Sequence, residues 1–364
     1  MGSIPVKQTK QYSYFYEDKP LFAMDIGRAS VRVIQLETKK NGLWRVIGYG
    51  QAHFDPKAIQ EGVVEDHEAV AQAVKTLFDS ELIGEITTDR VAISLPIARA
   101  FSRIVEMPGL TKDELDEAVR NEADQYIPAA LDSLYLDYTS IEQEDGKHMV
   151  NIIAIPKRVV ESYTLLAKIL GLTPVLLQTT NTADAGIFSH DKQSDIPTVL
   201  VDFGSDSTDI TVYDNGPIVN GNVPGGGEQI TTLIQEALGF NEREAVIVKT
   251  RYGLSYSKKQ RQLDEALAPM LSQVTREIKR TMRYFEERSE TKRTISQVVI
   301  MGGGTNMPGL PEYYTDSLRL PVRAFDPSAF LDFGHLQPFP TTDRMSYVTA
   351  AGLAMCQPEE LFHD

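Results

Sequence analysis

One short pattern that occurs twice constrains this chain more than any other feature. The first copy runs Leu21-Phe22-Ala23-Met24-Asp25-Ile26-Gly27-Arg28-Ala29-Ser30 and continues as Val31-Arg32-Val33-Ile34. The second runs Val199-Leu200-Val201-Asp202-Phe203-Gly204-Ser205-Asp206-Ser207-Thr208 and continues as Asp209-Ile210-Thr211-Val212. Each is an apolar run ending in Asp-x-Gly, a turn of small polar residues, then a second strand. Asn41-Gly42 and Asn215-Gly216 predict the turns of the hairpins that follow, because Asn-Gly matches the twist of paired strands. An ordinary hairpin with Asp at its turn would explain either copy alone. It does not explain both, and the duplication predicts two related half-folds presenting their loops to one ligand.

Phosphate is the chemistry such loops serve. Glycine lets the backbone approach closely and aim N–H groups at an anion, and the hydroxyls of Ser30, Ser207 and Thr208 add donors. One carboxylate on each side suits a hydrated divalent cation, since magnesium keeps several of its waters. Two further loops fit. The strand-like run Gln297-Val298-Val299-Ile300-Met301 empties into Gly302-Gly303-Gly304-Thr305-Asn306-Met307-Pro308-Gly309, and Pro224-Gly225-Gly226-Gly227-Glu228 leads into a helical stretch whose N-terminus is a natural anion site. Neither is a P-loop, for no Gly-Lys-Ser/Thr follows, and neither has dinucleotide spacing.

Taken in order, Asp25-Ile-Gly, Asp202-Phe-Gly and Gly302-Gly-Gly resemble the two phosphate motifs and the adenosine motif of the actin-like ATPase superfamily. The stretch from Tyr347 to Met355 resembles that fold's closing connecting helix. Within the superfamily, Leu110-Thr-Lys-Asp-Glu-Leu115, Asn121-Glu-Ala-Asp-Gln-Tyr-Ile-Pro128, Leu136-Asp137-Tyr138, Ile152-Ile-Ala-Ile-Pro-Lys157 and Leu170-Gly-Leu-Thr-Pro174 resemble the PilM family of type IV pilus assembly proteins, relatives of the division protein FtsA. The resemblance implies an α/β, actin-like two-lobed fold of duplicated ribonuclease-H-like cores with an inserted PilM/FtsA-type subdomain. It divides the chain into a polar extension (1–19), first-lobe core (20–90), inserted subdomain (91–155), a return to the first lobe (156–180), second-lobe core (181–238), a helical subdomain of that lobe (239–296), more of its core (297–343) and a helix back on the first lobe (344–364).

Composition excludes several alternatives. The single cysteine, Cys356, leaves no disulfide framework, and the six histidines are scattered without ligand spacing. A net charge of −15 opposes nonspecific binding to nucleic acid or anionic lipid. No apolar stretch approaches the ~20 residues of a membrane span, and the N-terminus lacks a signal peptide's apolar core. A cytoplasmic protein is expected, recruited to the inner face of the membrane through a partner.

Periodicity fills in the elements. Residues 21–55 and 198–223 each read as a three-strand meander, and residues 66–79, 157–170, 229–238 and 241–252 as helices. Within 91–155 the order is strand, helix, two strands, with Thr111 and Glu114 as a capping box and Pro128 as the stop. Apolar residues at 263, 267, 270, 271, 274, 278, 282 and 285 form a helical stripe that predicts core, with Lys279, Arg280, Arg283 and Arg288 on the solvated face.

The resemblance also assigns roles, with ATP and Mg2+ as cofactors. Asp25 and Asp202 would hold magnesium through water. Gly27, Arg28, Ala29 and Ser30 would line the β-phosphate, and Gly204, Ser207 and Thr208 the γ-phosphate. Gly225, Gly226 and Gly227 would lie near ribose and α-phosphate, and Gly303, Gly304 and Met307 would cover adenine. Of the Ala-Glu-x-x-Lys pattern that the superfamily often shows, Lys249 is present, while Val246 replaces the glutamate. The strand after Ala-Gly-Leu-x-Pro usually carries an acid; here Leu177-Gln178-Thr179-Thr180-Asn181 has none before Asp184. Gln178 or Asn181 could orient a water but not take its proton, so slow or absent hydrolysis is expected.

Three classes compete: an ATP-binding scaffold, an FtsA-like division protein forming membrane-associated filaments, and a small-molecule kinase. The tail from Gln357 to Asp364 is short and acidic, without the amphipathic period that the second class uses, and the insertion is of the PilM/FtsA kind rather than a kinase's. For the scaffold the resemblance implies the cytoplasmic N-terminal peptide of a PilN-like membrane protein as partner, lying between the first lobe and the insertion. Pilus motor ATPases and self-association are further implied partners.

Overall fold

The computed structural model describes residues 20–38, 42–142, 146–288 and 293–356. The readings placed on the 1–19 extension, on Asn41 and on the tail from Gln357 fall outside them.

In chain order the strands are β1 (Phe22–Ile26), β2 (Ser30–Thr38), β3 (Trp44–His53), β4 (Ile59–Gln60), β5 (Val63–Val64), β6 (Ile83–Gly84), β7 (Arg90–Leu95), β8 (Phe101–Met107), β9 (Leu134–Glu142), β10 (His148–Pro156), β11 (Thr173–Thr179), β12 (Thr198–Phe203), β13 (Ser207–Tyr213), β14 (Pro217–Pro224), β15 (Gln297–Met301), β16 (Val322–Ala324) and β17 (Leu331–Asp332). The helices are α1 (His67–Thr76), α2 (Lys112–Tyr126), α3 (Lys157–Leu170), α4 (Thr180–Phe188), α5 (Gly227–Leu238), α6 (Glu242–Arg251), α7 (Gln260–Arg288), α8 (Leu310–Leu318) and α9 (Val348–Ala354).

The duplication is literal. The first sheet runs β11-β7-β1-β2-β3 and the second β16-β15-β12-β13-β14. In both, the meander is antiparallel and its first strand pairs in parallel with a later strand, β1 with β7 and β12 with β15. The two strands after Asp-x-Gly therefore place equivalent residues opposite each other, Asp25 across from Arg32 and Asp202 across from Asp209.

Side-chain alternation along these strands builds two layers. One face of the first sheet packs on α1 and α3 through Phe22, Met24, Val70, Val74, Tyr163 and Leu166. The outer face of the second packs on α5, α7 and α8, and the predicted stripe on α7 is buried there at Leu263, Leu267, Met270, Leu271, Val274, Ile278 and Phe285. Between the sheets lie α4 and α9, sharing one core with Ala23, Tyr49 and Ala92 of the first sheet and Leu200, Tyr213, Val299 and Met301 of the second. The two helices cross tightly because position 352 is glycine: a Cβ there would come within 2.0 Å of the Ala183 carbonyl oxygen.

The insertion is smaller than its expected 91–155 span. The segment opening that span, Arg90–Leu95, is buried in the first sheet between β1 and β11. The inserted sheet therefore begins at Phe101 and has the order β8-β10-β9, covered by α2 through Leu115, Val119 and Ala123. Thr111 donates to the Glu114 carboxylate through both its backbone N–H (2.9 Å) and its hydroxyl (2.8 Å), which sets the start of α2. A second departure is β17: it lies within the span assigned to the second lobe but pairs with β3.

Candidate functional site

The Asp-x-Gly loops face each other across a cleft of about 910 Å³ between the two sheets, at the C-terminal ends of β1 and β12. The first loop contributes Asp25, Gly27, Arg28, Ala29 and Ser30, and the second Asp202, Gly204, Ser205, Asp206 and Ser207. Gly227, Lys249, Gly303 and Gly304 line the same space. The sequence motifs converge, but not every residue named in them does.

Asp25 is fixed from two sides. The Ser94 hydroxyl donates to its carboxylate at 2.6 Å and the Arg32 guanidinium lies 3.6 Å away. The turn after it closes with Gly27 N–H donating to the Ser30 carbonyl at 2.9 Å. Arg28 crosses the cleft to Asp206 and Glu228, at 3.3 and 3.4 Å, and so joins the two lobes at the mouth.

Among the described residues no cation is paired with Asp202 in this way. Burial first, then the charges of Asp209 and Asp25, push its carboxyl up to about 7, with Arg32 opposing. Burial likewise pushes Asp209 up to about 6 against the opposing hydrogen bond from Asn222. Among the described residues no three His, Cys, Asp or Glu side chains are grouped to bind a metal directly. Asp25 and Asp202 facing each other across the cleft, without a third ligand grouped beside them among the described residues, fit a cation that keeps its waters, as magnesium does.

These raised values fix a sign. A carboxyl that titrates higher folded than unfolded contributes stability at pH below about 4 that is lost as pH rises toward about 7. Asp209→Asn in the ligand-free protein should therefore exceed wild type in stability near neutral pH by about 1–3 kcal/mol, the gap closing as pH falls. Thermal unfolding across that range checks it, and a gap independent of pH overturns it.

Several expected contacts are replaced by structural ones. Gly225, Gly226 and Thr208 do not line the cleft. The N–H groups of Gly225, Gly227 and Glu228 donate to the carbonyls of Asp206, Gly204 and Ser205 at 2.8, 2.9 and 2.9 Å, so this end of α5 is spent on the second loop and not left for an anion. Gly226 is required for that contact, since a Cβ there would sit 2.3 Å from the Gly204 carbonyl oxygen. Thr208 is fully buried and its hydroxyl donates to the Gly225 carbonyl at 2.9 Å. Met307 is buried in the second-lobe core and does not cover the cleft.

Lys249 reaches the cleft and donates at 2.9 Å to both the Gly227 carbonyl and the Thr231 hydroxyl, which leaves one of its three protons for a ligand. Burial lowers its pKa. Val246, in the glutamate's place, lines the cleft one turn away.

The two expected water-orienting groups point elsewhere. Gln178 pairs with the Cys356 thiol at 3.3 Å, and Asn181 donates to Asn220 at 2.8 Å. Asp184 is buried behind the cleft, where the Thr349 hydroxyl donates to it at 2.8 Å, and burial raises its pKa well above the usual range. Asp209, by contrast, lines the cleft together with the motif aspartates Asp25 and Asp202. Sequence reasoning missed both it and Arg32, although the hairpin register contains the signal: each stands seven residues after its Asp-x-Gly aspartate and directly opposite it.

Two half-folds of one topology, closing a cleft over paired connecting helices, make this an actin-like protein. Within that class the chain belongs to the PilM family: the family described as type IV pilus assembly protein PilM matches residues 23–357. The chain is also 25% identical to the cell division protein FtsA of Neisseria meningitidis serogroup B (strain ATCC BAA-335 / MC58), over 94% of this chain and 92% of that one. Among solved structures it resembles a PilM-PilN type IV pilus biogenesis complex (TM-score 0.77, 21% identity, 92% of this chain and 97% of that one). It also resembles MreB5 of Spiroplasma citri bound to ADP (TM-score 0.53, 13% identity, 92% and 95%).

Proposed function

We propose that this protein is an ATP-binding scaffold of the type IV pilus assembly platform that holds the cytoplasmic N-terminal peptide of a PilN-like membrane protein. The observation that carries the reading is the inserted β8-β10-β9 sheet beside a two-loop cleft, in a chain of the PilM family. A PilM-PilN complex among its structural relatives supports the partner, and an ADP-bound MreB5 supports the nucleotide.

The cleft's own residues define the division of labour. Asp25 and Asp202 would hold hydrated magnesium, which supplies charge neutralisation at the phosphates. Arg28, Ser30, Ser205 and Ser207, which line the cleft, would donate to phosphate oxygens, and Lys249 would give its remaining proton to the ligand. Asp209 would be the candidate base, since it lines the cleft where Gln178 and Asn181 do not. Membrane recruitment follows from the partner, for no helix among the described residues is long and apolar enough to cross a membrane.

The test is calorimetry of the full chain with a synthetic peptide of a PilN-like N-terminal segment, with and without Mg-ATP. Binding at micromolar affinity or tighter, about −8 kcal/mol, is expected. No heat under either condition overturns the reading.

A further inference from the structure

The strand β14 carries two asparagines in its interior, Asn220 and Asn222, flanking Gly221. Asparagine and glycine are both poor strand formers, and departures from local preference of this kind concentrate where function demands them. Positions 220 and 222 share one face of the strand, the face turned toward the cleft and the connecting helices. Asn222 pairs in register with Asp209 and donates to its carboxylate; Asn220 pairs in register with Thr211.

Asn220 joins three bodies through one amide. Its carbonyl oxygen accepts from the Thr211 hydroxyl of the second lobe at 2.9 Å and from the Asn181 amide of the connecting helix α4 at 2.8 Å. Its NH2 donates at 3.1 Å to the hydroxyl of Ser102 on β8, the edge of the inserted sheet. Ser102 in turn lies 3.5 Å from the Asn151 side chain on the central strand β10. An amide has two acceptor lone pairs and two donor protons, and three of the four are used. A row of side chains thus runs from the cleft carboxylate Asp209 through Asn222 and Asn220 to Ser102 and Asn151 inside the insertion.

We propose that Asn220 is a positioning residue that passes occupancy of the cleft to the inserted subdomain. This rests on the nucleotide reading above and adds the route. A ligand that draws Asp25 and Asp202 together across the cleft moves the second sheet relative to the first and to α4. Because Asn220 holds the second sheet, α4 and β8 at once, that movement shifts β8 with it. Coupling between two sites is a free energy and acts in both directions, so a peptide on the insertion would alter nucleotide affinity by the same link.

Hydrogen–deuterium exchange of the full chain with and without Mg-ATP tests this without any peptide partner. In wild type, Mg-ATP is expected to change exchange in β8 and β10 by about fivefold or more. Asn220→Ala and Ser102→Ala should still bind Mg-ATP by calorimetry yet lose that response, and Ser102→Thr, which keeps the hydroxyl, should retain it. Ser102→Ala removes only the bond into the insertion, so it decides the matter even where Asn220→Ala does not fold. A response undiminished in Ser102→Ala overturns the route while leaving the nucleotide reading intact. A wild-type chain that binds no Mg-ATP overturns both.

Discussion

Asp202→Ala should weaken Mg-ATP binding at least about tenfold, roughly 1.4 kcal/mol or more, while leaving the empty protein as stable as wild type or more so. The two effects have one cause. Asp202 is a buried carboxyl with its charged form disfavoured by burial and by Asp209 and Asp25, so removing it relieves the ligand-free state. A hydrated cation reverses that balance, and only the bound state loses by the substitution. Asp25→Ala should cut affinity by a similar factor but is the poorer test. It also leaves the Ser94 hydroxyl and the Arg32 guanidinium without their carboxylate partner, which carries its own stability cost. Calorimetry decides the assignment: wild-type-like Mg-ATP affinity in Asp202→Ala would sink it. Asp209→Asn is the internal contrast. It removes a candidate base and leaves the two facing aspartates in place, so it should lower phosphate release more than affinity.

How far the site was legible follows from which forces set each residue. The two hairpins were readable because strand alternation and Asp-x-Gly are local signals, and in the second Asn215 adopts the positive φ, 58°, that Asn-Gly predicts. The stripe on α7 was readable because one helix face is buried along most of its length. The misses share a different origin. Gly225, Gly226 and Thr208 look like ligand contacts in sequence, yet Gly225 and Thr208 spend their polar groups within the second loop and Gly226 packs against the Gly204 carbonyl. That is a tertiary contact with no local signature. Met307 follows a glycine-rich loop but turns inward to the second-lobe core. The fate of Asn181 depended on Asn220, a partner 39 positions away. Asp209 and Arg32 are the exception, since counting across the hairpin would have found them.

The register of the inserted sheet sharpens the test of what the protein holds. Deleting residues 92–154 would remove most of β7, a buried strand of the first-lobe sheet, and the loss of binding that followed would prove only unfolding. Phe101 and Ala154, however, are directly opposite each other in the antiparallel β8-β10 pair, so their Cα atoms lie about 5 Å apart. Replacing residues 102–153 with Asn-Gly closes that gap with the turn that suits it. It removes β8 after Phe101, all of α2 and β9, and most of β10. What goes is a unit with its own small cores, Met107, Leu115, Val119, Val150 and Ile152 in one and Ala123, Ile127 and Leu134 in the other. The cleft loops and the connecting helices stay. The shortened protein should still bind Mg-ATP but retain no measurable affinity for a PilN-like N-terminal peptide, because the edge strands of the inserted sheet, to which an extended chain could add, and α2 beside them are gone. Peptide capture that survives this replacement would move the partner site to the second lobe, and Mg-ATP binding lost along with the peptide would show that the insertion supports the cleft instead.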